Sequence, residues 1–148
     1  ADEPTTSLDV TVQAQILNLI MDLQQEFSMS MLMINHNLGV IAETTDMVGV
    51  MYMGRVVELA PTEELLKNPL HPYTRDLFRS IPQVTDEKGK KLAFIEGSVP
   101  DAYSIPRGCA YHPRCNQAIK GQCDGEIPPD LNVSDRHRVA CYLFHGRD

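Results

Sequence analysis

The chain has 148 residues, a hydrophobic content of 43% and a formal net charge of -7. That size suits one modest domain, or part of a domain with an appendage, and the acidic balance argues against nucleic acid as the main partner, since such binders carry a basic footprint. No apolar run approaches the roughly 18 residues needed to cross a bilayer. The opening Ala1-Asp2-Glu3-Pro4 has no initiator methionine and no signal-peptide character, so the chain reads as part of a longer protein.

Taken in chain order, the first element is a helix from Val10 to Phe27. Val12, Ile16, Leu19, Ile20, Leu23 and Phe27 repeat at helical spacing, and Asp9 stands ahead of them as a cap. Ser30 to Ile34 is a short Met-rich apolar run, expected as a buried strand that ends at Asn35-His36-Asn37. Leu38 to Thr44 is expected as a short helix. Met47 to Met53 and Arg55 to Leu59 are expected as two strands joined at Gly54. Thr62-Glu63-Glu64-Leu65-Leu66 has the cap and acidic first turn of another helix. The Pro-rich step Asn68-Pro69-Leu70-His71-Pro72 ends it, and Tyr73 to Ser80 can form a further one. Ile81 to Lys91 is polar and charged, a linker or exposed loop. Beyond Gly97 the chain is rich in Pro and Gly, and a tail of that kind needs a staple.

Two groups of residues carry chemistry. Adjacent acids such as Asp2-Glu3 can divide the work of phosphoryl transfer, one carboxylate holding Mg²⁺ while its neighbour orients the attacking water. A bare pair is more often solvated surface, but here it opens the run Asp2-Glu3-Pro4-Thr5-Thr6-Ser7-Leu8-Asp9. The second group is Cys109, Cys115, Cys123 and Cys141, with no thiol in the preceding 108 residues. Their spacing is neither the CxxC pair of zinc ribbons nor the close run of ferredoxins. Two disulfides, a structural zinc site and a [4Fe–4S] cluster are all chemically open.

The DEPTTSLD run resembles the Walker B end and D-loop of ABC ATPases, and the following helix, strand and His36 are similar in order to that family. Asn68-Pro69-Leu70-His71-Pro72-Tyr73-Thr74 resembles the NPxHPYT box of the oligopeptide, dipeptide and nickel importer branch. Pro106-Arg107-Gly108-Cys109-Ala110-Tyr111-His112-Pro113-Arg114-Cys115, then Cys123 and His137-Arg138-Val139-Ala140-Cys141, look like the C-terminal extension of those importer ATPases. Asn37 departs from the acidic residue that commonly follows the family's histidine.

The resemblance implies an α/β fold: the C-terminal portion of an ABC-type P-loop NTPase domain over 1–80, a linker over 81–97, and a loop-rich four-cysteine metal module over 98–148. It implies that Asp2 serves Mg²⁺, Glu3 polarises the hydrolytic water, His36 contacts the γ-phosphate and Asp9 faces a second subunit. For the cysteines it favours a [4Fe–4S] cluster on Cys109, Cys115, Cys123 and Cys141, with Zn²⁺ as the alternative. Arg107, Arg114, Arg136 and Arg138 could offset the thiolate charge, and His112 or His137 could replace one thiol. The implied partners are a second ATPase subunit, transmembrane permease subunits and, indirectly, a solute-binding protein, at the cytoplasmic face of the membrane. No G-x-x-x-x-G-K-[ST] loop and no LSGGQ-like signature occurs in these residues, so the chain alone is expected not to hydrolyse ATP. The competing expectation is a non-enzymatic metal-binding interaction module.

Overall fold

The computed structural model describes residues 1–81 and 94–145. The chain divides into two compact units, Ala1–Asp46 and Met47–Asp148.

In the first unit, helix α1 spans Val10–Glu26. Asp9 starts it: its side chain accepts from the Thr11 and Val12 amides, both at 3.0 Å, and so satisfies donors that a helix N-terminus leaves free. The apolar stripe is largely uncovered. Leu17 is the buried residue of α1, while Leu19, Leu23 and Phe27 are exposed and Val10 is 83% exposed. Helix α2, Leu38–Thr44, falls where the pattern places it. Asn37 caps it through Gly39 and Val40, which gives a local reason for an amide at that position. Ser30–Ile34 departs from expectation. Its ladder is a single parallel bridge between Asp2 and Ile34, flanked by bonds from the Ala1 amino group to Leu32 and from the Ile34 amide to Ala1. A strand needs a neighbour over several residues, and within the unit only 1–3 lie alongside.

The second unit is built on a hairpin, β1 Met47–Tyr52 and β2 Arg55–Pro61. Met53 and Gly54 both have positive φ, 47° and 76°, the signature of the two-residue turn whose twist suits paired strands. The sheet continues: β2 pairs with β4, Arg138–Val139, and β4 with β3, Leu131–Asn132, all antiparallel in the order β1-β2-β4-β3. Helix α3, Thr62–Lys67, carries the expected acidic turn of Glu63 and Glu64, but its cap position is Pro61 rather than Thr62. Helix α4 spans Pro72–Arg79. Val139 and Ala60 are fully buried, and Leu70, Val139 and Cys141 form a cluster against which Leu143 and Phe144 pack.

The fold thus has mixed α/β content. Within the second unit, two residues of the cysteine-bearing tail, β4, complete the edge of β2, so part of the tail and the hairpin share one sheet. The linker expected over 81–97 falls mainly outside the described residues. Its last part is held in place, since the Arg114 guanidinium donates to the Ile95 and Glu96 carbonyls at 3.0 and 2.9 Å.

Candidate functional site

In the first unit Glu3 and His36 come together. The Glu3 amide bonds to the Ile34 carbonyl at 2.8 Å, which aligns the acidic run beside the segment leading to His36. Glu3 Oε1 then lies 2.8 Å from His36 Nδ1, and Thr6 Oγ1 donates to Glu3 Oε2 at 2.9 Å. These two hydrogen bonds, His36 first, hold the Glu3 carboxyl below the usual carboxylate range. Both side chains remain open to solvent. Glu3 and Ser7 have φ of 42° and 68°, a left-handed conformation costly for residues with a Cβ and frequent where a side chain must be aimed. Asp2 sits in the bridge beside Ile34, exposed. Asp9 is at the start of α1, committed to the cap. The arrangement offers a carboxylate and an imidazole to a common patch of solvent, with a second carboxylate next in the chain.

In the second unit all four cysteines line one cavity, with His71, Pro72, Tyr111, His112, Gln117, Pro128, Tyr142 and Leu143 completing its wall. They arrive from separate loops. Cys109 and Cys123 are joined through the backbone, the Cys109 amide donating to the Cys123 carbonyl at 2.8 Å. That approach depends on Gly108: its φ is 72°, and an added Cβ would stand 2.3 Å from the Cys123 carbonyl oxygen. Cys115 closes the turn 112–114, with its amide on the His112 carbonyl. Cys141 follows β4 and is carried in by the sheet. Cys123 Sγ also accepts the Ile119 amide at 3.3 Å.

The thiols are unlinked by disulfides. Burial pushes Cys141 up to about 11, and neighbouring thiols add to this. Burial likewise raises Cys109 and Cys115. Four soft donors facing one space suit a thiolate-held metal group, whose positive charge would reverse those upward shifts. The fit is one of donor chemistry rather than of position or free volume. The cavity measures about 10 Å³, close to the room of one water, and among the described residues no group of His, Cys, Asp or Glu is placed to hold a metal ion.

The histidines of the tail have other occupations. His137 is 1% exposed, with Glu58 Oε1 2.8 Å from Nε2 and Glu64 Oε1 2.9 Å from Nδ1. It is committed to carboxylates, and the expectation that it could replace a thiol ends there. Glu58 is equally buried, and its two oxygens also accept the Leu70 and His71 amides at 2.7 and 3.0 Å. His112 Nδ1 donates to the Cys109 carbonyl at 2.9 Å, bracing the ligand loop. Two of the four arginines expected to offset thiolate charge are engaged elsewhere, Arg114 as above and Arg138 with Asp130 at 3.5 Å.

Sequence reasoning passed over Glu58, Glu64 and Gly108 as functional positions and treated His71 only as part of a box. The available signals were Gly108 immediately before a cysteine, and His71 before Pro72, the pattern of a helix cap followed by Pro at the first helical position. His71 does cap α4, its Nδ1 accepting the Tyr73 amide at 3.0 Å. Beneath it Tyr52, Tyr73 and Tyr111 pack ring to ring, with centroids 4.6–5.3 Å apart, and the Tyr111 hydroxyl donates to Asp76 Oδ2 at 2.6 Å.

Comparison with known proteins finds relatives that align with both units. Residues 57–123 match the family described as "Oligopeptide/dipeptide transporter, C-terminal region", which takes in most of β2, the His71 box and three of the cysteines. The chain is 49% identical over 146 residues to a peptide import ATP-binding protein of Brucella ovis, covering 95% of this chain and 43% of the relative. It is 49% identical to the oligopeptide transport ATP-binding protein AppD of Bacillus subtilis, over 97% of this chain and 43% of that protein. With the di/tripeptide transport ATP-binding protein DppF of Pseudomonas aeruginosa the identity is 46%, over 96% and 43%. The chain therefore spans about two fifths of the length of the curated relatives it matches. On these alignments, which run through both units, the chain is similar to the ATP-binding proteins of peptide and oligopeptide import.

Proposed function

We propose that the chain serves in the ATP-binding and ATP-hydrolysing subunit of an oligopeptide or dipeptide importer. The observation that carries this is the 2.8 Å contact between Glu3 and His36, two residues 33 positions apart that the family resemblance names as one catalytic pair. In this reading Glu3 is the general base that orients the hydrolytic water, and His36 is the residue that meets the γ-phosphate. The two hold each other now. When His36 turns to phosphate, Glu3 Oε1 is released to accept a proton from water. Asp2 serves Mg²⁺, and Asp9, at the start of α1, faces a second ATPase subunit. The chain divides by role into 1–80 for nucleotide chemistry, 81–97 as linker and 98–148 as the cysteine module. Permease subunits would dock the protein at the cytoplasmic face of the membrane, with a solute-binding protein acting indirectly. Among the described residues no helix is long and apolar enough to cross a membrane, in keeping with a peripheral position. The phosphate-cradling loop of the subunit lies outside these residues, so the chain by itself is expected to be inactive.

For the module we propose a [4Fe–4S] cluster on Cys109, Cys115, Cys123 and Cys141, with Zn²⁺ as the alternative. Its support is the shared cavity of all four thiols. The bound group would tie the loops of the tail to one another, a structural cross-link.

The decisive experiment for the ATPase reading is Glu3→Gln in the intact subunit. ATP binding should persist while hydrolysis falls by about 100-fold or more, the usual share of a general base. A variant that hydrolyses ATP at nearly the normal rate would remove Glu3 from the chemistry, and this assignment with it.

A further inference from the structure

The turn that carries the acidic run ties a further side chain to Glu3. The Thr6 amide donates to the Glu3 carbonyl at 3.2 Å, closing a turn over Glu3-Pro4-Thr5-Thr6. Pro4 holds its second position, where the fixed φ of proline suits a turn of this kind. Thr5, the third residue, is 4% exposed, whereas Glu3 and Thr6 at the two ends are exposed. The turn thus seats its middle in the unit and brings the side chains of its ends together in the open. Thr6 Oγ1 donates to Glu3 Oε2 at 2.9 Å, while Glu3 Oε1 lies 2.8 Å from His36 Nδ1. Each carboxylate oxygen has its own partner, and the two partners differ in kind. His36 comes from 33 positions away with its side chain 73% exposed. Thr6 stands three residues on in the same turn, and its branch at Cβ restricts χ1.

We propose that Thr6 is a positioning residue for ATP hydrolysis: its hydroxyl holds Glu3 Oε2, so that Oε1 stays aimed at the hydrolytic water once His36 has turned to the phosphate. This rests on the reading of Glu3 as the general base. A glutamate is a long side chain, and a carboxylate released by its only tether would sample several orientations. With Oε2 tied, departure of the imidazole frees one oxygen and leaves the other where it was. Orientation of this sort is a recognised share of catalysis, because a base slightly out of place forfeits much of its rate. The direction of the bond is fixed by chemistry, since an ionised carboxylate only accepts and the hydroxyl has one proton to give. A neutral donor also leaves the carboxylate its charge, which a lysine or arginine in the same place would compensate. The rival is a hydrogen bond that merely closes the turn and has no part in the reaction.

The test measures ATP binding and steady-state hydrolysis by the intact subunit carrying Thr6→Val, Thr6→Ser, Glu3→Gln, or Thr6→Val together with Glu3→Gln. Valine keeps the branch at Cβ and removes the hydroxyl, and should lower kcat by about tenfold with KM and ATP affinity unchanged. Serine keeps the hydroxyl and should hydrolyse ATP at close to the wild-type rate. On the Glu3→Gln background Thr6→Val should cost nothing more, because residues that act as a unit are not additive. A bond that only closes the turn predicts the opposite: weaker ATP binding, and the same proportional loss with or without the Glu3 carboxylate. That pattern overturns the inference, as does a Thr6→Ser subunit as slow as Thr6→Val. Should Thr6→Val fold poorly, Thr6→Ala, which adds no bulk, is read in the same way. Wild-type kcat in the Thr6 variant beside an inactive Glu3→Gln overturns the role of Thr6 and leaves Glu3 as the base. A Glu3→Gln subunit that hydrolyses ATP normally overturns the general-base reading itself, and the role of Thr6 falls with it.

Discussion

The two units of the molecule handle their apolar and polar groups in opposite ways. The first spends a 17-residue helix to bury Leu17, and it presents Glu3 and His36 on an open surface. The second folds two strand residues of its tail onto the hairpin and buries a carboxylate, Glu58, with His137 against it. On the proposed reading, exposed groups suit a site that must admit and release a nucleotide, and an interior suits one that would hold a metal group. The second unit supplies that interior from its own residues, whereas the first leaves Val10, Leu19, Leu32 and Phe27 open.

The sharpest way to break this contrast is to remove the polar centre of the second unit. His137→Ala leaves Glu58 buried without its imidazole partner and should cost about 2 kcal/mol, as a buried polar group deprived of a hydrogen bond does. Urea unfolding of the second unit's tyrosine signal checks it. Adding Glu58→Gln to His137→Ala should give a loss that differs from the sum of the two single losses, because the two side chains are in contact. If His137→Ala unfolds at the wild-type urea concentration, the network is not what ties the tail to the hairpin.

Gly108→Ala tests the same unit through its backbone. The new Cβ would meet the Cys123 carbonyl at 2.3 Å in a left-handed conformation, so the loops carrying Cys109 and Cys123 must part. The expected cost is about 3 kcal/mol, combining overpacking and strain, with a parallel loss of metal uptake on reconstitution. Equal metal content and stability would show that the approach of these loops is dispensable.

What the sequence revealed follows the reach of each signal. Helices α1 and α2 and the hairpin were legible because Asp9, Asn37 and Met53-Gly54 act on their nearest neighbours. The Glu3–His36 pair was legible through resemblance alone, since neither residue is distinctive by itself. Pairing of β2 with β4 was not legible: Arg138-Val139 is too short for periodicity, and its support comes from Glu58, 79 positions before His137. The convergence of the cysteines could be suspected from their number, but which side chains complete the cavity depends on burial. His71 shows the limit well, because its nitrogen, buried without a partner among the described residues, is enclosed only once α4 is folded and the wall is closed.

The smallest expected effect lies on α1. Leu19 is 52% exposed, so Leu19→Lys removes little buried area and should change the stability of the isolated chain by less than about 0.5 kcal/mol. Its effect on association should be larger. Leu19 belongs to the apolar stripe with Leu23, and an uncovered stripe favours contact with another apolar surface. Sedimentation of the wild-type chain should therefore show concentration-dependent self-association, and Leu19→Lys should reduce it. If Leu19→Lys destabilises the chain as strongly as His137→Ala, the stripe is packed in solution and the contrast between the units disappears. If the wild type stays monomeric at every concentration, exposure of α1 is real but carries no association of its own.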